Sequence, residues 1–147
     1  MMPNIVGEIQ REGIPDYNLE ADIIYFDMPL LSLFSHGNNQ YSMFLWVDFD
    51  NNTNRLAVID VEPSLIVSYL KKDIPLLNCV RSAKNILIID SPAMLEQKFA
   101  CAVRVNFETL CDLGYCPTEE SFLSDGISNM STDEQELLIS RLEKLVS

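Results

Sequence analysis

The stretch from residue 21 to residue 61 limits the fold more than any other part of the chain. It reads as four apolar runs, "ADIIYFD" (21–27), "LLSLFSH" (30–36), "QYSMFLWVDFD" (40–50) and "RLAVIDV" (55–61). Pro29, "GNN" (37–39) and "NNTN" (51–54) part them. β-Branched and aromatic residues dominate the runs, and Gly and Asn in the gaps tolerate the positive φ of tight turns. A chain patterned in this way folds as an antiparallel meander.

The period changes after Glu62. Pro63 suits a first helical turn, where its missing N–H costs nothing, and Leu65, Ile66, Tyr69 and Leu70 fall on one stripe. Lys71 and Lys72 follow at the negative end of the helix dipole. "LLNCVRSA" (76–83) reads as a short second helix and "NILIID" (85–90) as another strand. Residues 98–115 fit either a strand as far as Val105 or one helix throughout, and 114–126 reads as loop. The tail is the clearest helix. Ser131 and Glu134 have capping-box spacing, acidic residues lead, Arg141 and Lys144 trail, and Leu137, Leu138, Leu142 and Leu145 supply an apolar stripe. The expected fold is α+β: an antiparallel meander sheet of about 4–5 strands packed against helices, with a C-terminal amphipathic helix over 131–147. Residues 1–147 form one domain, in which 1–20 is a strand and loop or a flexible lead-in, and "SDGISNMS" (124–131) is the one obvious linker.

At 147 residues and 48% hydrophobic, the chain can build a single sizeable core and is too apolar for disorder. No apolar run approaches the roughly 18–20 residues of a membrane-spanning helix. The first residues lack the basic start and apolar run of a secretory signal. The expectation is a soluble cytoplasmic protein. Cys79, Cys101, Cys111 and Cys116 are read as buried free thiols: Cys111-x4-Cys116 is not a usual zinc spacing, and the single histidine, His36, is remote in sequence. His36, beside Gly37, is read as an exposed turn residue. No phosphate-cradling glycine loop is present, and no cofactor is expected. Phe34, Phe44 and Trp46 are read as core.

Net charge is −12 and falls in blocks. Residues 12–54 carry seven acidic side chains and 105–140 carry eight, with no Lys or Arg in either block. Such a chain repels phosphate backbones and anionic membranes and attracts basic partners.

Four carboxylates in "FLWVDFDNNTNRLAVIDVEP" (44–63) are the nearest thing to a chemical motif. Asp48-x-Asp50-x-Asn52 matches the start of a calcium loop, but Thr53 stands where Gly is wanted and Ile59 where the bidentate Glu is wanted. A two-metal site needs several of these carboxylates to converge within a few ångströms, usually with a Lys nearby. A turn centred on Asn52-Thr53 pairs residues whose numbers sum to 105. That register puts Asp48 and Asp50 on the face of Phe44 and Trp46, and Asp60 and Glu62 on the face of Met43 and Leu45. Asp60 is then suited to capping the helix that starts at Pro63.

The order of "YFDMPLLSLFSHGNNQYSMFLWVDFDNNTNRLAVIDVEPSLIVSYLKKDIPLLNCV" and "CPTEESFLSDG" resembles a small uncharacterised bacterial domain family, over roughly residues 22–126. The resemblance implies a mixed α/β bacterial domain encoded near mobile or defence genes, and brings no functional residues with it.

The functional expectation is a non-enzymatic acidic binding or regulatory protein, such as an immunity protein, antitoxin or inhibitor. Its partner would be a basic protein, itself active on nucleic acid, with no direct nucleic-acid or membrane contact; a homo-oligomer is compatible. The expected partner-binding residues are Asp48, Asp50, Asn51, Asn52, Glu119, Glu120, Asp125, Asp133, Glu134 and Glu136. Two alternatives are a metal-dependent hydrolase using Asp48, Asp50, Asp60 and Glu62, and a structural or oligomerisation domain whose acidity serves solubility.

Overall fold

The structure, a computed structural model, describes residues 2–10, 16–92 and 102–146. Among the described residues seven strands form one antiparallel sheet: β1 (Glu8–Gln10), β2 (Asn18–Tyr25), β3 (Pro29–His36), β4 (Gln40–Asp50), β5 (Thr53–Asp60), β6 (Ile86–Ser91) and β7 (Ala102–Val105). Their spatial order is β1-β7-β6-β5-β4-β3-β2, so β2 to β7 run as an unbroken meander and β1 is added beyond β7. The α+β meander is as expected, but with seven strands rather than four or five. The additional strands are β1 and β7, three and four residues long. Strands this short carry no readable period, and they exist because Glu8–Gln10 pairs with 102–104. The segment 1–20 is therefore not merely a lead-in: it holds β1 and the first residues of β2.

Among the described residues four helices accompany the sheet: α1 (Pro63–Leu70), α2 (Leu76–Arg81), α3 (Phe107–Asp112) and α4 (Thr132–Val146). The segment 102–115 resolves into a strand to Val105 and a separate helix, because the Asn106 side chain accepts from the Thr109 amide and starts α3. Helix α1 stops at a left-handed residue, Lys72 (φ 68), with the Lys72 and Asp73 amides closing back on Tyr69 and Ser68. The capping box of α4 forms in both directions, Glu134 N to Ser131 Oγ at 3.2 Å and Ser131 N to Glu134 Oε1 at 3.1 Å. Of its leucine stripe, Leu138 and Leu142 are buried, whereas Leu137 faces out, 67% exposed. The presumed linker 124–131 belongs to the fold: Asn129 N donates to Ile23 O, and Ser128 bridges to Ile24 at the outer edge of β2.

The sheet has two unequal apolar faces. Met43, Leu45, Ala57, Ile59, Ile86 and Ile88 pack with the helices in the main core. Phe34, Phe44, Leu56, Val58 and Ile89 form a smaller core on the other face, closed by Tyr17, whose ring meets Phe34 and Phe44 edge-on. Phe34 and Phe44 are buried as expected and Trp46 is half-buried.

The β4–β5 register differs from expectation. Asn51 and Asn52 both have positive φ (49° and 60°) and form the two-residue turn themselves. Pairs from Ser42↔Asp60 to Trp46↔Leu56 precede a bulge at Val47, after which Asp48 meets Arg55 and Asp50 meets Thr53. Both face assignments reverse. Asp60 lies on the side of Leu56 and Val58, and Asp48, turned by the bulge, lies on the helical side with Arg55. The two still point to opposite faces, as the expected register also required.

Candidate functional site

Strand β5 carries one charged residue near each end, and a polar cluster surrounds each. Arg55 is 5% exposed. Its Nε and Nη2 donate to the two carboxylate oxygens of Asp90 at 2.8 and 3.0 Å, a bidentate pairing across β5–β6. Its Nη1 donates to Pro3 O at 2.6 Å and to the Tyr115 hydroxyl at 3.1 Å. Tyr115 in turn donates to Asp48 Oδ2 at 2.8 Å. One guanidinium thus joins the N-terminal segment, β4, β6 and the turn after α3. Asp90 raises the Arg55 pKa above its ordinary value. The Tyr115 hydroxyl and the Phe49 amide hold Asp48 below the ordinary carboxylate value, and burial, then Asp48, pushes Tyr115 up. Nearby, Asp50 accepts from the Met2 amide at 2.9 Å.

At the other end, Ser42 Oγ donates to Asp60 Oδ1 at 2.5 Å and Asn85 Nδ2 to Asp60 Oδ2 at 3.2 Å. His36 Nε2 lies 2.9 Å from Ser42 Oγ and 3.7 Å from Asp60 Oδ1. Burial alone would raise the Asp60 pKa, but nearby His36 and the hydrogen bonds from Ser42 and Asn85 outweigh it and leave the pKa below the ordinary value. His36 is thus buried, not an exposed turn residue, with its ring edge-on to Tyr17 at 5.2 Å. Ser42, His36 and Asp60 are thus brought together. Their arrangement is nevertheless unlike a nucleophilic triad: the serine lies between the other two, is fully buried and gives its proton to the carboxylate. The cluster opens onto a depression of about 160 Å³ bounded by Gln40, Glu62, Lys84 and Asn85, where Lys84 Nζ holds Glu62 Oε1 at 2.6 Å. Asp60 does not cap α1; Glu62 occupies that position and makes no side-chain cap.

The four carboxylates of 44–63 therefore separate. Asp48 and Asp50 belong to the Arg55 end and Asp60 and Glu62 to the depression. Among the described residues no group of three or more His, Cys, Asp or Glu side chains is placed to hold a metal ion.

The remaining expected partner-binding residues lie elsewhere. Asn51 and Asn52 form an exposed turn. Glu119 and Glu120 are exposed on the segment after α3, and Asp125 pairs with Lys72 at 2.8 Å. Asp133, Glu134 and Glu136 lie in the first turns of α4. Of these, Glu134 lines a groove. It measures about 450 Å³, lies between β2 and α4, and is lined by Glu20, Asp22, Met130, Glu134, Leu137 and Arg141. Leu137 is shared with an adjoining shallow depression bounded by Asp133, Glu136 and Ser140. Glu20 and Asp22 were missed in the sequence because nothing local to them shows that the C-terminal helix lies alongside β2. Arg141, the groove's cation, is 3.7 Å from Glu20.

Two of the expected free thiols are joined: Cys111 and Cys116 form a disulfide. The turn ending α3, with Gly114 at φ 84°, brings these positions together despite a spacing unsuited to zinc. Cys79 is free and buried as expected, its thiol pushed up to about 12 by burial. Cys101 lies outside the described residues. No helix is long and apolar enough to cross a membrane among the described residues. Comparison with protein-family models, with curated proteins and with solved structures finds no match, so the geometry alone carries the functional reading.

Proposed function

We propose that this chain is a non-enzymatic acidic binding protein, of the kind that acts as an immunity protein, antitoxin or inhibitor, and that its partner is a basic protein. The observation that supports this reading is the groove between β2 and α4. It has the make-up of a recognition surface for a cationic segment: an exposed apolar side chain, Leu137, set among Glu20, Asp22 and Glu134, with Asp133 and Glu136 continuing the same sign. Apolar contact at the centre supplies affinity, and the acidic rim speeds encounter and selects positive partners. The groove narrows the expected site, since Glu119, Glu120 and the β4–β5 turn do not line it.

The test uses a labelled peptide alternating Arg with apolar residues, titrated by fluorescence anisotropy at low and physiological salt. Binding should weaken with salt. Combining Glu20→Lys, Asp133→Lys and Glu136→Lys should weaken it by about tenfold or more, a loss near 1.4 kcal/mol. Glu119→Lys with Glu120→Lys should leave it within about twofold. Equal losses in the two variants would mean that the peptide senses only net charge, and the groove assignment would fall.

A further inference from the structure

We propose that Cys111–Cys116 is a reversible thiol–disulfide exchange site whose state governs how firmly Tyr115 holds the Arg55 network together. The bond closes the turn that ends α3 and encloses Tyr115, the one residue of that turn that reaches into the network. Cys111 is exposed and Cys116 half-buried, so a small thiol can reach the pair from solvent without unfolding the chain. Tyr115 itself is buried, and its hydroxyl bridges Asp48 on β4 and Arg55 on β5. The same guanidinium holds Pro3 O, so the N-terminal segment is coupled to the turn through a single side chain.

The reductant is a low-molecular-weight thiol. Its thiolate attacks the Sγ of Cys111, forming a mixed disulfide there and breaking the bond to Cys116, whose sulfur leaves as a thiolate and takes a proton. A second thiol attacks the small-molecule sulfur of the mixed disulfide and releases Cys111, which is protonated in turn. Two electrons and two protons pass to the protein, and two small thiols become one disulfide. After opening, the turn keeps its backbone bonds from Leu113 N to Thr109 O, Gly114 N to Cys111 O and Tyr115 N to Leu110 O and the Tyr115 hydroxyl contacts, but loses the covalent link that closes it. Cys79, buried and with a raised thiol pKa, is an internal control that should not react.

The experiment equilibrates the full chain in thiol/disulfide buffers of graded ratio, alkylates free thiols under native conditions and maps each cysteine by peptide mass. Hydrogen exchange is followed in parallel. Cys111 and Cys116 should titrate together and reversibly while Cys79 stays unlabelled. Reduction should speed amide exchange about tenfold at Tyr115 and in β1. Cys111→Ser with Cys116→Ser should show the fast exchange even in oxidising buffer. Tyr115→Phe should speed exchange in β1 while leaving the cysteine titration in place. The proposal is overturned if the two sulfurs alkylate in oxidising buffer, if the bond opens only when denaturant is added, or if it opens with exchange unchanged.

Discussion

Arg55 and Asp60 stand near opposite ends of one strand and on opposite faces of the sheet, and the structure compensates their charges differently. Arg55 is met by a carboxylate in bidentate geometry, by a carbonyl and by a hydroxyl, drawn from segments far away in the chain. Asp60 receives donors from Ser42 on the next strand and from Asn85 just before β6, with His36 close by. The first cluster ties distant parts of the fold to the helical face. The second closes one end of the smaller core and leaves its carboxylate facing a depression. A cation joined to many segments should be costlier to lose than an anion held by its neighbours.

Three measurements break or sharpen that contrast. Replacing Arg55 with Met leaves Asp90, Tyr115 and the Pro3 carbonyl without their shared donor, and should cost about 3–5 kcal/mol in urea unfolding at neutral pH. A cost under about 1 kcal/mol would show that the network is not coupled to folding. Asp60→Asn keeps the shape but turns an acceptor toward donors, and should cost about 1–3 kcal/mol. If it proves more damaging than the Arg55 change, the contrast is inverted. The smallest effect lies in acid. Asp60 has a folded pKa below its unfolded value of about 3.9, so its contribution is complete above that value and disappears as pH falls through the folded pKa. The stability gap between the wild type and Asp60→Asn should therefore be constant from pH 7 to 5 and narrow below pH 4. Urea midpoints across that range give the answer, and a gap that widens in acid would mean that Asp60 is not held as an anion.

Elements governed by local rules were readable in the sequence. The bounds of β4 coincide with "QYSMFLWVDFD", and the capping box of α4 forms as its spacing requires, because strand period and helix caps act over a few residues. Register was not readable. The turn could be centred on Asn51-Asn52 or on Asn52-Thr53, and the bulge at Val47 leaves no mark in the alternation. The clusters were hidden for a related reason: Arg55 meets partners 35, 52 and 60 positions away. One signal was available. Arg55 and Asp90 sit near the ends of otherwise apolar strands, in phase with inward residues such as Ala57, Ile59, Ile86 and Ile88, where a charge implies a partner. His36 has the same relation to Phe34 on the other face. The β2–α4 groove was illegible for want of any local indication that the chain's last helix returns to one of its early strands.

The order of the sheet also bears on how the chain is made. β2 to β7 pair each with the next, so the meander can assemble as it leaves the ribosome, every new strand finding its neighbour already present. β1 cannot take part. Its partner is β7, and Glu8 has no opposite residue until synthesis has passed Arg104. Of the seven described strands the one made earliest is therefore the last to be placed, and it must stay out of the way of a sheet growing without it.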